Sequence, residues 1–114
     1  MTFDEYQQQA ITTDTFDGRM DTLFDAAFLE KAFGLVGEAG EAAEKLKRIF
    51  REKDGRLNDE DKAEIIKEFG DVLWYISALS HYLQVPLNEV ASKNLDKVLS
   101  RKQRGVTHGQ GDNR

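Results

Sequence analysis

Two pairs of carboxylates with the same spacing are the residues of this sequence best suited to chemistry. They are Glu38/Glu41 and Glu68/Asp71. The members of each pair lie three residues apart in a segment with helical apolar periodicity, so each pair would present two carboxylates on one helix face. Ionised carboxylates among glycine, alanine and apolar side chains are unfavourable unless a positive charge compensates them. Because oxygen ligands of this kind suit Mg²⁺ or Mn²⁺, the pattern predicts a divalent metal site.

A tight turn is predicted between the two pairs, at Gly55 within a short polar run. If the chain folds back there as an antiparallel helical hairpin, Glu41 faces Glu68 and Glu38 faces Asp71. A lone Glu-x-x-Glu is most often a solvated helix face. The meeting of two such pairs at one level of a hairpin favours the metal instead.

Helical periodicity organises the rest of the chain into an all-α domain. The predicted helices cover residues 2–11, 23–52, 59–83 and 86–102, and residues 12–21 are predicted to form a loop. Thr2 and Asn58 suit the N-cap positions of the first and third helices, and Pro86 suits the first position of the fourth. We therefore expect one domain over residues 1–104, followed by a flexible glycine-rich tail over 105–114.

The third predicted helix is apolar over more than one face. A chain of 114 residues offers few other helices to cover it, so we expect a homodimer or a dimer of dimers. Ile65, Val72 or Leu79 are expected among the interface residues, and the active site is expected close to the subunit boundary.

Composition narrows the class of protein. The net charge of −5 with no long basic run argues against duplex nucleic acid as a partner. The chain has no cysteine and no apolar run long enough to span a membrane, and it lacks the features of a signal peptide. We therefore expect a cytoplasmic protein without a membrane partner.

Other residues could assist a metal-bound polyphosphate. Gly34, Gly37 and Gly40 form one helical stripe, which either packs closely against another helix or lies under a ligand. Tyr75 follows Asp71 by one helical turn and could hold a base or sugar. Several lysines and arginines could neutralise phosphate charge: Lys45, Lys47, Arg48, Lys93, Lys97, Arg101 and Arg104. Of these, Lys93 and Lys97 are one turn apart and are our candidates for substrate binding.

Together these residues resemble a known family. The segments are Gly34-Leu35-x-x-Glu38-x-Gly40-Glu41 and, after a spacer, Glu68-x-Gly70-Asp71-Val72-Leu73-Trp74-Tyr75. They are similar to the MazG-type all-α nucleoside triphosphate pyrophosphohydrolases, and the similarity extends over about residues 6–101. The resemblance implies a four-helix bundle that assembles as a dimer or a dimer of dimers. It also implies Mg²⁺-dependent hydrolysis of a (deoxy)nucleoside triphosphate to the monophosphate and pyrophosphate.

The same resemblance assigns residues to roles. It implies that Glu38, Glu41, Glu68 and Asp71 bind the metal, with Mn²⁺ as a possible substitute for Mg²⁺. It places Tyr75 and Asn94 near the sugar or base. For the catalytic step, Glu41 is our candidate to orient the attacking water, with Glu38 or Glu44 as alternatives.

Two other functions stay open at this point. The first is a related all-α pyrophosphatase with a dedicated substrate such as phosphoribosyl-ATP, dUTP or dCTP, since base choice depends on pocket shape. The second is a non-catalytic helical interaction module whose acids form a cation-stabilised cluster. Mg²⁺-dependent release of pyrophosphate would distinguish an enzyme from a module.

Overall fold

The computed structural model of the protein describes residues 1–15 and 25–114. Within them the chain forms helices α1 Phe3–Ala10, α2 Ala26–Lys53, α3 Asp59–Tyr82 and α4 Leu87–Gln103, with a turn of 3₁₀-helix, Ile11–Thr13, after α1. The described residues contain no β-strand. The predicted all-α class with four helices is therefore confirmed. None of these helices is long and apolar enough to cross a membrane.

The predicted N-caps form as capping boxes. The Thr2 hydroxyl accepts a hydrogen bond from the backbone N–H of Glu5, whose carboxylate accepts one from the N–H of Thr2. Asn58 and Asp61 exchange the same two bonds at the start of α3. Each box satisfies two backbone donors that the first turn of a helix leaves without partners.

The start of α2 differs from its prediction by a few residues. Asp25 is the N-cap, and its side chain accepts a hydrogen bond from the N–H of Ala27. The helix therefore begins at Ala26 and not near residue 23. Of the loop predicted over 12–21, residues 12 and 13 lie in the 3₁₀ turn. Residues 16–21 of that loop lie outside the described part of the chain.

The predicted turn at Gly55 joins α2 and α3 into a hairpin. Asp54 and Gly55 both take left-handed backbone conformations, with φ of 51° and 74°, which end a helix and which glycine adopts without a steric cost. Across the turn, the Lys53 ammonium lies 2.8 Å from Asp61. The hairpin is thus closed by backbone geometry and by an ion pair.

Helical spacing gives this hairpin two unlike faces. The surface that we call the carboxylate face consists of Gly37, Glu38, Glu41, Lys45 and Arg48 of α2 with Glu64 and Asp71 of α3. The opposite surface, which we call the apolar face, consists of Val36, Ala39, Ala43, Leu46 and Phe50 of α2 with Ile66, Phe69 and Leu73 of α3. Between them, Ala42, Ile65 and Glu68 are buried where the helices meet.

A buried glutamine fastens α1 to the other end of the hairpin. The Gln7 side-chain nitrogen donates to the carbonyl oxygens of Ser77 (3.3 Å) and Val85 (3.0 Å), and its oxygen accepts from the N–H of Leu87 (3.0 Å). Pro86 is the N-cap residue of α4, one position before the predicted one. Helix α4 packs against α1 and α3 and, within the described residues, has no Cα atom within 8 Å of one in α2.

The segment over 105–114, which the sequence predicts as a flexible tail, lies folded against α4. The buried Arg101 side chain donates to the backbone carbonyl of Asp112 (2.7 Å), and Arg104 donates to that of Arg114 (2.7 Å). Asp112 also lies 3.2 Å from the Lys97 ammonium. Two guanidinium groups and a lysine thus give the segment polar partners, which its lack of an apolar stripe did not suggest.

Candidate active and metal-binding site

Three of the four predicted acids come together across the hairpin. Glu38, Glu41 and Glu68 each offer a carboxylate oxygen, and these oxygens all lie within 4.8 Å of one another. The first two are on α2 and the third is on α3, as the predicted hairpin requires. This donor set consists of oxygen only, which suits Mg²⁺ or Mn²⁺ rather than zinc.

The fourth acid, Asp71, lies one turn further along α3 and is exposed. In the part of the chain that the structure describes, it is not one of the clustered carboxylates. Its charge nevertheless acts on Glu38. Burial raises the pKa of Glu38 above its ordinary value, and the charges of Glu41, Asp71 and Glu68 add to that effect. The site therefore disfavours a further negative charge when no cation is bound.

Glu68 is the member of the cluster with the least exposure to solvent, at 7%. One of its oxygens, Oε1, lies 2.5 Å from the ammonium of Lys45. The other, Oε2, is buried and has no hydrogen-bond partner among the described residues. A buried carboxylate oxygen without a partner is costly, so this atom is a suitable ligand for a cation.

Lys45 is held by two acids of α3. Besides Glu68, its ammonium lies 3.4 Å from Glu64. The hydrogen bond to Glu68 is the main reason that the pKa of Lys45 is raised, so this lysine stays charged. A permanent cation therefore stands directly beside the carboxylate cluster.

Sequence similarity agrees with this geometry. Residues 27–106, which include both acid pairs, match the sequence pattern of the MazG nucleotide pyrophosphohydrolase domain family. The chain belongs to this family. It is also 44% identical, over the full length of both chains, to the "Gene 37 protein" of Mycobacterium phage L5. No solved structure gives a significant match.

The glycine stripe of this MazG domain divides into two parts. A Cβ atom on Gly34 would lie 2.2 Å from Cε1 of Tyr75, so the tyrosine ring rests on the α2 backbone there. At Gly37 and Gly40, a Cβ atom would meet nothing within 4 Å. Close packing thus explains the first glycine, whereas the other two leave backbone bare beside Glu38 and Glu41.

The predicted substrate residues of α4 lie apart from the clustered acids within one chain. Lys93 pairs with Glu89 at 2.6 Å, and Lys97 pairs with Asp112 at 3.2 Å. Asn94 is exposed. Within one chain, no Cα atom of α4 lies within 8 Å of α2, the helix that carries Glu38 and Glu41. Tyr75 does lie near the site, since the charge of Glu38 contributes to its raised pKa after burial and Glu30.

Sequence reasoning missed one neighbour of the site and placed another only among several candidate phosphate-binding cations. Tyr6 of α1 lies close enough to Asp71 for that charge to add to the effect of burial in raising the tyrosine pKa. No local pattern could have found Tyr6, because its place depends on how α1 packs. Lys45 could have been singled out from those candidates, because the register that opposes Glu41 to Glu68 also sets position 45 opposite Glu64.

A second polar cluster anchors the chain beside this site. The Lys31 ammonium, 3% exposed, lies 3.0 Å from Asp14 and about 6 Å from the rings of Trp74 and Tyr82. The Tyr82 hydroxyl donates to Asp14, and burial together with that bond raises the pKa of Tyr82 to about 12. Buried charge of this kind is stable only when it is paired. The cluster therefore fixes the segment after α1 against α2 and α3.

Proposed function

We propose that this MazG domain is a Mg²⁺-dependent pyrophosphohydrolase that converts a (deoxy)nucleoside triphosphate and water into the monophosphate and pyrophosphate. The observation that carries the proposal is the cluster of Glu38, Glu41 and Glu68, in which Glu68 Oε2 is buried without a hydrogen-bond partner among the described residues. Family membership supports the reaction class.

The acids fit a divalent cation. Glu38, Glu41 and Glu68 would hold Mg²⁺ or Mn²⁺, and Asp71, on the same face, would complete the ligand set. A bound Mg²⁺ supplies positive charge that offsets the charge of the phosphate oxygens in the transition state. In its absence, burial and then the charges of Glu41, Asp71 and Glu68 raise the pKa of Glu38, and such a cation would offset the repulsion among these charges.

The remaining chemistry belongs to side chains of the protein. Glu41 is exposed, so solvent water can reach its carboxylate. We assign Glu41 to orient that water and to accept its proton as the water oxygen bonds to the α-phosphorus. The bond from that phosphorus to the bridging oxygen then breaks, and pyrophosphate leaves with the electron pair. Tyr75, closed against Gly34, would contact the sugar or base.

A screen of all (deoxy)nucleoside triphosphates with Mg²⁺ tests this function. We expect monophosphate and pyrophosphate as products, and strong selectivity for one substrate would favour a dedicated enzyme for a substrate such as dUTP or dCTP. Release of the nucleoside diphosphate together with inorganic phosphate would contradict the proposed bond cleavage. Absence of any Mg²⁺-dependent turnover would favour a helical interaction module.

We also propose that the domain is a homodimer or a dimer of dimers, formed through the apolar face. Val36, Phe50, Ile66 and Phe69 are 53% to 76% exposed there. The radius of gyration, 16.9 Å, exceeds the roughly 13 Å of a compact domain of about this size. Two hairpins packed face to face would bury this apolar surface as a four-helix core. Ile65 is already buried within one chain, so the exposed residues of α3 are better candidates for the interface.

A further inference from the structure

Lys45 stands at one end of the carboxylate cluster and Tyr75 at the other. Along α2, Glu38 and Lys45 are seven residues apart, which corresponds to roughly 10 Å of helix. At the α2 N-terminal side, the Tyr75 ring closes the surface over Gly34. At the C-terminal side, the surface stays open toward the hairpin turn. A ligand on the carboxylate face therefore meets an aromatic wall at one end and a cation at the other.

The open end carries a second cation. Lys45 and Arg48 both line a concavity with Gly37, Gly40 and Glu41 on the carboxylate face. The same two side chains line a neighbouring concavity of about 300 Å³ between α2 and α3. Cationic side chains at the edge of the carboxylate cluster can donate hydrogen bonds to phosphate oxygens. One divalent ion does not fully offset the negative charge of those oxygens.

We propose that Lys45, with Arg48, binds the β- and γ-phosphates of the substrate and then the pyrophosphate product. This assignment rests on the proposed function. It orients the nucleotide along α2, with its base and sugar at the Tyr75 end and its terminal phosphate toward the hairpin turn. The bare backbone at Gly37 and Gly40 gives the triphosphate room to lie between these ends.

Metal binding would make Lys45 available for this task. Before a cation arrives, the Lys45 ammonium is the partner of Glu68 Oε1 at 2.5 Å. If Glu68 held a divalent cation, the attraction of this carboxylate for a second positive charge would be weaker. The ammonium, which is already charged and partly exposed, can then turn toward phosphate oxygens.

Lys45 and Arg48 suit this role better than the two lysines of α4 that the sequence suggested. Lys93 and Lys97 lie on α4, which within one chain has no Cα atom within 8 Å of α2, and their ion-pair partners, Glu89 and Asp112, are not acids of the cluster. Lys45 reaches a carboxylate of the cluster directly.

Binding of inorganic pyrophosphate to the Mn²⁺-loaded protein, measured by calorimetry, tests the assignment apart from turnover. We expect Lys45→Met to weaken this binding by about tenfold or more and Arg48→Met to weaken it less. Lys45→Arg, which keeps the charge, should retain most of the affinity. Lys47→Met is the matched control, since Lys47 pairs with Glu44 on the exposed side of α2. Circular dichroism verifies that each variant keeps its helices.

Titration with Mn²⁺ alone distinguishes two roles of Lys45, the binding of phosphate and the positioning of the Glu68 carboxylate for the metal. We expect Lys45→Met to bind the ion as well as the wild type does. An equal loss of Mn²⁺ and pyrophosphate affinity, or unchanged pyrophosphate affinity in Lys45→Met, would overturn the assignment. A wild-type protein that binds pyrophosphate through Lys45 but hydrolyses no nucleoside triphosphate would overturn the proposed function and uphold this phosphate site.

Discussion

The two faces of the α2–α3 hairpin are built from the same pair of helices and differ in what they leave unsatisfied. The carboxylate face collects negative charge and a buried oxygen of Glu68 that has no described partner. The apolar face exposes large side chains such as Phe50 and Ile66. A bound cation would offset the negative charge of the carboxylate face. An apolar surface of a second molecule would bury the exposed side chains of the apolar face. One helical hairpin can therefore carry chemistry and assembly on opposite sides, since a helix repeats every 3.6 residues.

The strongest test of this contrast removes single charges from the carboxylate face. We expect Glu38→Gln, Glu41→Gln, Glu68→Gln and Asp71→Asn each to lower kcat/KM about 100-fold or more, because several kcal/mol of transition-state stabilisation depend on the metal. The helices should stay intact, since relieving clustered negative charge does not remove packing. Steady-state kinetics and circular dichroism measure both effects, with Glu60→Gln as the control. Near-normal activity in any two site variants would remove the proposed site.

A charge placed on the apolar face should disrupt assembly instead. Phe69→Lys should weaken the dimer by about a hundred-fold or more, because a two-fold interface loses the buried side chain twice, at about 1.5–3 kcal/mol each. Sedimentation velocity at micromolar concentration measures the change, and Leu99→Lys on α4 is the control. The variant should still bind Mn²⁺ at the opposite face. A wild-type protein that sediments as an active monomer would contradict the proposed assembly.

Metal binding should stabilise the folded chain by a smaller amount. At a hundred-fold excess of Mg²⁺ or Mn²⁺ over its dissociation constant, linkage predicts about 2.7 kcal/mol, seen as a rise of several degrees in Tm. Ca²⁺ should bind but support little hydrolysis, since its coordination is less strictly octahedral. Glu68→Gln should lose most of the rise. A Tm indifferent to millimolar Mg²⁺, with and without nucleotide, would favour the interaction module.

Two glycines of α2 should respond to alanine in opposite directions. Gly37→Ala should stabilise the protein by up to about 1 kcal/mol, because its Cβ meets open space and alanine favours the helix. Gly34→Ala should destabilise it by about 1–3 kcal/mol, because the new Cβ would clash with Tyr75. Urea denaturation measures both. Reduced nucleotide affinity in the stabilised Gly37→Ala variant would sharpen the proposal that a ligand lies over this backbone, whereas two changes of the same sign would contradict the packing described.

The smallest expected effect is a pH dependence of the metal-free protein. The folded pKa of Glu38 is raised above its ordinary value of 4.5, so the folded chain binds more protons than the unfolded chain in the window just above that value. The contribution of Glu38 to the free energy of unfolding therefore decreases as the pH rises through this window, and it stays lower at higher pH. Glu38→Gln should raise the metal-free Tm at pH 7 and have less effect near pH 4. An equal Tm change at both pH values would contradict this account.

Much of the hairpin could be predicted because its determinants are local. The capping residues Thr2 and Asn58 mark helix starts through bonds that span three residues, and Gly55 marks a turn that needs a left-handed backbone. Once the turn is known, antiparallel geometry sets which positions face each other. The meeting of Glu41 with Glu68 follows from that register without any knowledge of the other helices.

The rest depends on contacts between distant parts of the chain. Lys93 and Lys97 were proposed as substrate residues for their type and spacing, and Asn94 was proposed from the family resemblance, but spacing within α4 does not tell where α4 packs. Its start is held by side chains of α1 that are far away in sequence, Gln7 at Leu87 and Asp4 at Asn88. The partners of segment 105–114 are likewise polar groups of α4, which an apolar stripe in the segment itself could not have indicated.

The clamps at the two ends of the hairpin have a mechanical consequence for the acids between them. At one end, the Asp54–Gly55 turn and the Lys53–Asp61 pair join α2 to α3; at the other, the Tyr75 ring is seated on Gly34. Two helices that are joined on both sides of a pair of facing residues change their separation there less than helices joined on one side only. The separation of the carboxylates is thereby restrained by residues that bind no metal. Ligand spacing that is stiff before the ion arrives favours ions of matching radius and lessens the ordering that binding requires.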